Sequence, residues 1–215
     1  MNMNVSKQYL EICGIPVIAR TLQVFEDCRS IDEIILVVNE QDILYCKQHI
    51  IDEFRFEKVG KIVAGGSSRQ ASVYNGLREV DQRCEIVSIH DGARPFVDEE
   101  IISRSIQAAC EYGASCVAVQ VKDTIKMADD EGFVMETLNR SVLWSIQTPQ
   151  TFKYQLILDA HCKALEDGFS GTDDAVLVER LGHRLKLVMG SYENIKITTK
   201  EDLAIAESIV MKRQD

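Results

Sequence analysis

The sequence lacks long hydrophobic runs and has little proline, and both features limit the classes of protein it can belong to. No apolar run approaches the roughly 18 residues that a membrane-spanning helix requires, and the first ten residues are polar, unlike a secretory leader. We therefore expect a cytoplasmic protein that does not associate with a membrane. Only 3 prolines and 12 glycines occur among 215 residues, and no low-complexity stretch marks a linker. A single α/β domain over residues 1–215 is the expected organisation.

Basic residues are also scarce relative to acidic ones. The chain has 24 Lys and Arg against 34 Asp and Glu, a net charge of -10, which repels a polyanion and predicts that nucleic acid is not a partner. A small phosphorylated ligand stays possible, because a few basic residues that converge in one cleft can hold phosphate. The 7 cysteines are scattered and include no C-x-x-C pair, so we expect buried, reduced thiols.

The common glycine fingerprints of dinucleotide and P-loop sites, G-x-G-x-x-G and G-x-x-x-x-G-K-[ST], are absent from the sequence. What is present is an alternation of short β-branched runs with amphipathic segments. Buried strands are predicted at residues 33–38, 61–64, 86–89 and 114–119, and helices at 70–77 and, after an Asp98 cap, from residue 99. This order predicts a Rossmann-like, mostly parallel sheet flanked by helices, with ligands beyond the carboxyl ends of its strands.

The alternation is interrupted after residue 120. Residues 121–138 are extended and more polar, and Asp129-Asp130-Glu131-Gly132 forms a turn signal, so we expect a projecting β-hairpin arm. An isolated hairpin is marginally stable in water and needs a surface to pack against. A second copy of the chain is the simplest such surface, and residues 121–146 are therefore predicted to be a dimerisation arm within the domain.

Unusual residues concentrate at two predicted strand ends. Gly65-Gly66 precedes a helix, where glycine lets the backbone approach a ligand and the helix offers free N–H groups, although a tight turn would account for the pattern equally well. His90-Asp91-Gly92-Ala93-Arg94-Pro95 follows another strand. Asp91 is able to hold Mg²⁺, which often binds through one or two carboxylates plus substrate phosphates, but a lone Asp there is also common in turns. Local patterns alone leave both alternatives open.

Taken together, eight ordered segments resemble the 2-C-methyl-D-erythritol 4-phosphate cytidylyltransferase family. They are Lys7 to Leu10, Gly65 to Ser72, His90 to Pro95, Asp123-Thr124, Arg140 with Leu143-Trp144, Gln147 to Gln150, Thr172-Asp173 and Asn194 to Lys196. The resemblance implies a single nucleotidyltransferase domain that joins CTP to methylerythritol phosphate, a sugar-alcohol phosphate, in non-mevalonate isoprenoid biosynthesis. It also implies a homodimer and a divalent cation such as Mg²⁺.

The resemblance implies a role for each matching residue. Lys7 and Lys196 match catalytic lysines that hold the charge of the reacting phosphate, and Asp91 matches the metal-holding carboxylate. The nucleotide-binding positions are Gly65, Gly66, Ser72, Asp91 and Gly92. The positions for the sugar phosphate are Thr124, Arg140, Thr148 and Thr172, of which Thr124 and Arg140 reach the site of the neighbouring subunit.

The beginning of the sequence departs from the family pattern. The family has a first strand and a glycine-rich loop ahead of the Lys-Gln segment, whereas this sequence begins six residues before Lys7. We expect that the natural chain starts upstream of Met1 and that, without that loop, triphosphate binding is weak. Two alternatives stay open: a ribitol 5-phosphate cytidylyltransferase, which has a similar fold and similar motifs, and a noncatalytic dimeric nucleotide-binding relative.

Overall fold

The computed structural model of the protein describes residues 7–214, and the side chains of all of these except Lys7 and Gln214. Its strands are β1 Glu11–Ile12, β2 Ile15–Pro16, β3 Ile34–Val38, β4 Val59–Ala64, β5 Ile86–Ile89, β6 Ala114–Gln120, β7 Lys126–Ala128, β8 Val134–Thr137, β9 Trp144–Lys153 and β10 Lys186–Met189. Its α-helices are α1 Val17–Asp27, α2 Ile43–Cys46, α3 Arg69–Leu77, α4 Glu99–Tyr112, α5 Tyr154–Glu166, α6 Ala175–Arg180 and α7 Lys200–Gln214. Within residues 7–214, none of these helices is long and apolar enough to cross a membrane.

The larger sheet has four strands in the order β10-β6-β9-β5. β10 pairs in parallel with β6, while β9 runs antiparallel to both β6 and β5, so β5, β6 and β10 share one direction. β3 and β4 form a separate parallel pair. The α/β fold, with most strands of the larger sheet running in one direction, is thus confirmed. The sequence did not predict the central strand β9. Its QTPQT stretch carries polar residues and a proline where a buried strand is normally apolar.

Helices cover both faces of the larger sheet. On one face, α5 and α6 pack with Leu77 of α3 against a cluster that includes Ile89, Ala114 and Phe152. On the other face, Phe25 of α1 and residues of α4 pack against Val117 of β6 and Val188 of β10. Ala114 and Val117 point to opposite faces because their separation along the strand is odd. Burial on both faces explains the continuous apolar run of β6, whereas β10 buries only Val188.

Local signals set the helix ends, and the predicted Asp98 cap is confirmed. Asp98 has an extended backbone, and its Oδ1 accepts a hydrogen bond from the Ile101 amide at 2.7 Å, which caps α4. Gly113 ends the same helix with a φ of 87°, a left-handed conformation that favours glycine. At α7, Thr199 Oγ1 accepts from the Asp202 amide at 3.3 Å while the Asp202 carboxylate accepts from the Thr199 amide at 2.8 Å.

The predicted hairpin is confirmed as β7 and β8, which pair antiparallel with Lys126 opposite Thr137. Asp129 closes its turn, because Oδ1 accepts hydrogen bonds from the amides of Glu131 and Phe133. Every residue of both strands is exposed. The exposed residues include large apolar side chains: Phe133 is 68% and Met135 64% accessible. The arm therefore presents an uncovered apolar surface.

The cysteine expectation needs correction. All seven cysteines are free thiols, as predicted, and Cys28, Cys46 and Cys116 are buried. Cys13 and Cys110 are nevertheless exposed and Cys84 and Cys162 only half-buried, so the expectation of burial is wrong for these four. Cys13 lies in the tight turn between β1 and β2, with a φ of 49°. Cys110 lies on the outward-facing side of the amphipathic helix α4, and the spacing of the cysteines does not predict this exposure.

Candidate active site

The Gly65-Gly66 loop connects β4 to the first turn of α3. Ser68 caps the helix by accepting a hydrogen bond from the Ala71 amide at 3.1 Å. The Ser72 hydroxyl folds back onto the loop, accepting from the Gly66 amide at 3.0 Å and donating to the Ser68 carbonyl at 2.8 Å. A Cβ on Gly66 would lie 2.5 Å from the Cβ of Ala71, so the tightness of this turn requires glycine. Ser72 thus shapes the loop that it borders.

Asp91, just beyond the carboxyl end of β5, is the centre of a cluster of cations. Its Oδ1 lies 3.2 Å from Arg69 Nε, and its Oδ2 lies 2.9 Å from Lys196 Nζ and 3.5 Å from Arg94 Nε. Burial alone would raise the pKa of Asp91, but the charges and hydrogen bonds of Arg69 and Lys196 outweigh it and hold the pKa at about 2. Asp91 is therefore fully ionised at neutral pH, with three basic groups converging on it.

A buried asparagine ties the Lys196 segment to this strand end. Asn194 is fully buried, and its Nδ2 donates to the Thr148 carbonyl at 2.9 Å. Arg94 Nη1 donates to the Asn194 carbonyl at 2.8 Å, and the Ile197 amide donates to the Ala93 carbonyl at 2.8 Å. These bonds cross from the 194–197 segment to the loop after β5 and to β9. As a result, Lys196 is held beside Asp91 although the two residues are far apart in the sequence.

His90 and Thr148 hold the backbone of Asp91. The Asp91 amide donates to Thr148 Oγ1 at 3.1 Å, and Oγ1 lies 3.1 Å from His90 Nδ1. His90 Nε2 lies 3.0 Å from the Arg94 carbonyl, which only accepts, so Nε2 carries the proton and Nδ1 accepts from Thr148. Burial lowers the pKa of His90 to about 4, so the ring is neutral at pH 7.

Gly92 is required for close packing beside Asp91. A Cβ there would lie 2.6 Å from Ile18 Cδ1, and the Gly92 carbonyl accepts a hydrogen bond from Thr21 Oγ1 at 2.9 Å. Both contacts come from α1. Gly92 therefore lets α1 approach the strand end on which Asp91 lies.

Comparison with known proteins places this geometry in a family. A sequence model of 2-C-methyl-D-erythritol 4-phosphate cytidylyltransferase matches residues 1–212. The chain belongs to the 2-C-methyl-D-erythritol 4-phosphate cytidylyltransferase family. A relative of that name from Caldanaerobacter subterraneus subsp. tengcongensis is 52% identical over 212 residues, which cover 99% of this chain and 93% of the relative. One from Clostridioides difficile is 49% identical over 216 residues, which cover 100% of this chain and 90% of the relative.

Solved structures of the same family have the same fold. The 4-diphosphocytidyl-2C-methyl-D-erythritol synthase of Anaerococcus prevotii superposes with a TM-score of 0.88 at 36% identity, and the match covers 96% of this chain and 90% of that one. The Thermus thermophilus cytidylyltransferase gives a TM-score of 0.80 at 30% identity, covering 95% and 93% of the two chains. Family membership identifies this chain as a cytidylyltransferase, a nucleotidyltransferase of isoprenoid biosynthesis.

The structure brings some of the predicted family positions together and leaves others apart. Asp91, Lys196 and Thr148 lie within one network, next to Gly92. Thr124 and Arg140 are exposed residues that flank the hairpin, and Arg140 Nη1 donates to the Lys122 carbonyl at 2.8 Å. Thr172 is also exposed, in the loop between α5 and α6. The roles predicted for these residues stay predictions.

Two predictions concern parts of the chain that the structure does not describe. The Lys7 backbone belongs to a short 3₁₀ helix, Lys7–Tyr9, but the Lys7 side chain is outside the described residues. The expectation about the natural start of the chain likewise falls on residues 1–6, which are outside them.

Sequence analysis assigned no role to Arg69, Arg94 or Asn194, although all three lie inside the quoted family segments. Arg69 contacts two carboxylates, Asp91 and the buried Asp174. A local signal was available for Arg94, because an arginine three residues after an aspartate at a strand end can fold back onto it. For Arg69 and Asp174 none existed, since 105 residues separate them.

Proposed function

We propose that this chain transfers the cytidylyl group of CTP to 2-C-methyl-D-erythritol 4-phosphate and releases pyrophosphate. The observation that carries the proposal is the convergence of Arg69, Arg94 and Lys196 on Asp91, beyond the carboxyl end of β5. Nucleotides bind at such strand ends in open α/β sheets. The names of the relatives supply the substrate pair, and the site supplies the positive charge that a triphosphate and a sugar phosphate both require.

The proposed reaction is an in-line displacement at phosphorus. A phosphate oxygen of methylerythritol phosphate attacks the α-phosphorus of CTP, and the bond from that phosphorus to the oxygen bridging to the β-phosphate breaks. Pyrophosphate leaves with the bonding electrons, so no covalent enzyme intermediate is needed. Lys196, held beside Asp91 yet 41% exposed, is proposed to present its ammonium group to the phosphate oxygens where negative charge develops. Lys7, whose side chain is outside the described residues, is proposed for the same role because it matches the family's other catalytic lysine.

Mg²⁺ fits the residues present if substrate phosphates complete its coordination. Among the described side chains, no group of three or more His, Cys, Asp or Glu could hold a metal alone. Asp91 nevertheless stays ionised, and a single carboxylate plus phosphate oxygens is a common magnesium environment. Bound there, the ion would neutralise triphosphate charge and favour departure of pyrophosphate.

The nucleotide is proposed to bind along the Gly65-Gly66 loop, next to Asp91 and Gly92. The loop is rigid because the Ser72 hydroxyl bonds both Gly66 and Ser68. Ser72 has already used its single proton on the Ser68 carbonyl, so toward cytosine it is an acceptor, which suits the exocyclic amine of the base. Thr148 and Thr172 are proposed for the sugar-phosphate side. The Thr148 hydroxyl is buried between Asp91 and His90, so its contribution there is to position the Asp91 backbone.

The active unit is proposed to be a homodimer formed through the arm at residues 121–146. Phe133, Val134, Met135 and Val142 are each more than half exposed, an apolar surface that a second copy would cover. In the family, the residues matching Thr124 and Arg140 reach the neighbouring subunit's site, and the exposure of both side chains supports that placement here. Phe133→Asp should shift the protein to monomers in sedimentation velocity. An unchanged dimer would contradict the arm interface.

Pyrophosphate release with CTP, Mg²⁺ and either sugar phosphate tests the proposal. The expected result is a kcat/KM for methylerythritol phosphate well above that for ribitol 5-phosphate. A preference for ribitol 5-phosphate would reassign the substrate while keeping the chemistry. Binding of CTP without pyrophosphate release, in a dimeric folded protein, would instead support the noncatalytic alternative. The cytoplasmic location stays a prediction.

A further inference from the structure

Arg69 joins two carboxylates that lie on different parts of the fold. It is the first residue of α3, and its Nε lies 3.2 Å from Asp91 Oδ1 while its Nη1 lies 2.7 Å from Asp174 Oδ2. Asp91 follows β5, and Asp174 immediately precedes α6. One planar guanidinium therefore connects the cation cluster around Asp91 to a second, separate anchor.

Asp174 is buried, and both its carboxylate and its backbone amide have hydrogen-bond partners. It is 1% exposed, its Oδ1 lies 3.2 Å from His161 Nε2, and its amide donates to Gln150 Oε1 at 3.1 Å. A buried carboxylate is costly unless a cation compensates it, and Arg69 is the cation that does so. Because Gln150 lies on β9 and His161 on α5, both at fully packed positions, Asp174 cannot move with the substrate.

The geometry of a guanidinium transmits this rigidity to Asp91. Nη1 and Nε belong to one plane with fixed separations, so the contact of Nη1 with Asp174 restricts the directions in which the Nε–H bond can point, and the two contacts together set the plane of the guanidinium. Asp91 Oδ1 meets that bond, which leaves Oδ2 directed at Lys196 Nζ, 2.9 Å away. The two oxygens of Asp91 thus have different partners: Oδ1 meets Arg69, and Oδ2 meets Lys196 at 2.9 Å and, at 3.5 Å, Arg94 Nε.

We infer that Arg69, anchored by the buried Asp174, is a positioning residue that fixes the orientation of the Asp91 carboxylate and, through it, the ammonium group of Lys196. The inference rests on the roles proposed above for Asp91 and Lys196. A lysine at position 69 keeps the charge, but its donors all radiate from one nitrogen, so it does not reproduce the two separate positions at which Nε and Nη1 meet Asp91 and Asp174. The arginine is therefore required for its shape in addition to its charge.

The test compares Arg69→Lys, Asp174→Asn and the double variant with Arg180→Lys. Arg180 is the matched control, because it is 34% exposed against 35% for Arg69 and its Nη2 pairs with Asp167 Oδ2 at 3.2 Å, without contacting Asp91 or Asp174. Displacing an active-site group by about 1 Å can cost about 10²-fold in rate, so kcat of Arg69→Lys should fall about 10- to 100-fold. Arg180→Lys should leave kcat unchanged.

Two readouts separate positioning from general stabilisation. If Asp174 acts through Arg69, adding Asp174→Asn to Arg69→Lys should reduce kcat by less than about 2-fold more, since the coupling has already been removed. A crystal structure of Arg69→Lys should show Asp91 Oδ1 turned away from its present direction. Should Asp174→Asn fail to fold, Asp174→Glu keeps the charge, displaces it by one methylene and should lower kcat in the same way.

The outcomes are distinguishable from failure of the proposed function. If Asp91→Asn is inactive, either of two results would overturn the positioning role of Arg69. One is an unchanged kcat in Arg69→Lys. The other is a double variant whose loss of kcat equals the product of the losses in the two single variants. Full activity of Asp91→Asn would overturn the role proposed for Asp91 itself, and this inference with it. Loss of kcat in Arg69→Lys, together with a reoriented Asp91 and a normal Arg180→Lys control, supports it.

Discussion

Replacement of Lys196 by alanine should separate catalysis from stability more cleanly than any other change at the site. The Lys196 ammonium lies 2.9 Å from Asp91 Oδ2, yet 41% of its side chain is exposed. Only 13% of the Asp91 side chain is exposed, but Arg69 and Arg94 still compensate its charge when Lys196 is removed and water screens the ammonium, so the loss should be about 0.2–1 kcal/mol, as for exposed pairs. Even the upper figure corresponds to a shift of only about 2–4 °C in Tm for a chain of this length.

The expected effect on turnover is much larger. Removing one fixed group that stabilises transition-state charge typically costs about 10²–10³ in kcat, which is about 2.7–4 kcal/mol. The reason for the difference is that the charge on the transferring phosphoryl group develops in a site with fewer waters, where a fixed cation acts more strongly. The expected signature of Lys196→Ala is therefore a large fall in kcat with a Tm within a few degrees of the wild type.

The assay is pyrophosphate release under saturating CTP, Mg²⁺ and methylerythritol phosphate, with thermal unfolding measured on the same preparations. Lys61→Ala is the matched control: Lys61 is 43% exposed and pairs with Glu79 at 3.4 Å, and its side chain bonds no other residue that the structure describes. It should show the small stability change without the loss of turnover. Wild-type kcat in Lys196→Ala would remove Lys196 from the mechanism, and an unfolded variant would refute the assignment of its ion pair as an exposed, weak contact.

Three further changes test other parts of the site. Arg140→Ala should mainly raise KM for the sugar phosphate with little change in Tm, since Arg140 is exposed and bonds only the Lys122 carbonyl among the described residues; an unaltered KM counts against its role. His90 titrates at about 4 in the fold against its ordinary 6.5, so acid favours the unfolded state: stability should fall by about 3 kcal/mol between pH 6.5 and pH 4. Urea titrations should show that His90→Asn reduces this dependence of the free energy of unfolding on pH, whereas His183→Asn, at an exposed position, should not. The same pH dependence in the wild type and in both variants would contradict the prediction. Gly66→Ala should destabilise the protein by about 1–3 kcal/mol and weaken CTP binding in calorimetry, because its methyl group meets Ala71; wild-type affinity would show that the turn is not the nucleotide loop.

Sequence patterns predicted those elements whose signals are local. Short apolar runs predicted the strands β3 to β6, although only β6 is buried along nearly its whole length and β4 has no fully buried residue. The helices α4 and α7 carry capping residues within three positions of their first turns. β9 has no such local signal. Its residues gain their strand conformation from two neighbours, since Gln150 pairs with both Cys116 of β6 and Ile89 of β5, and both neighbours are distant in sequence. Tertiary pairing determined this strand, which is why a polar, proline-containing segment lies at the centre of the sheet.

The same distinction between local and distant partners governs what could be foreseen of the site. The family segments indicated Asp91 and Lys196, and their ion pair confirms that the two lie together. The segments did not indicate what holds the lysine in this position. That depends on Asn194, which is fully buried and bonded to β9, and on the main-chain bond from Ile197 to Ala93. A buried polar group must find partners wherever the fold supplies them, so its role becomes visible only when distant segments are placed side by side. Residues proposed to contact substrate, such as Asp91 and Lys196, can therefore be found by motif. Residues that position them, such as Asn194, are found only from the structure.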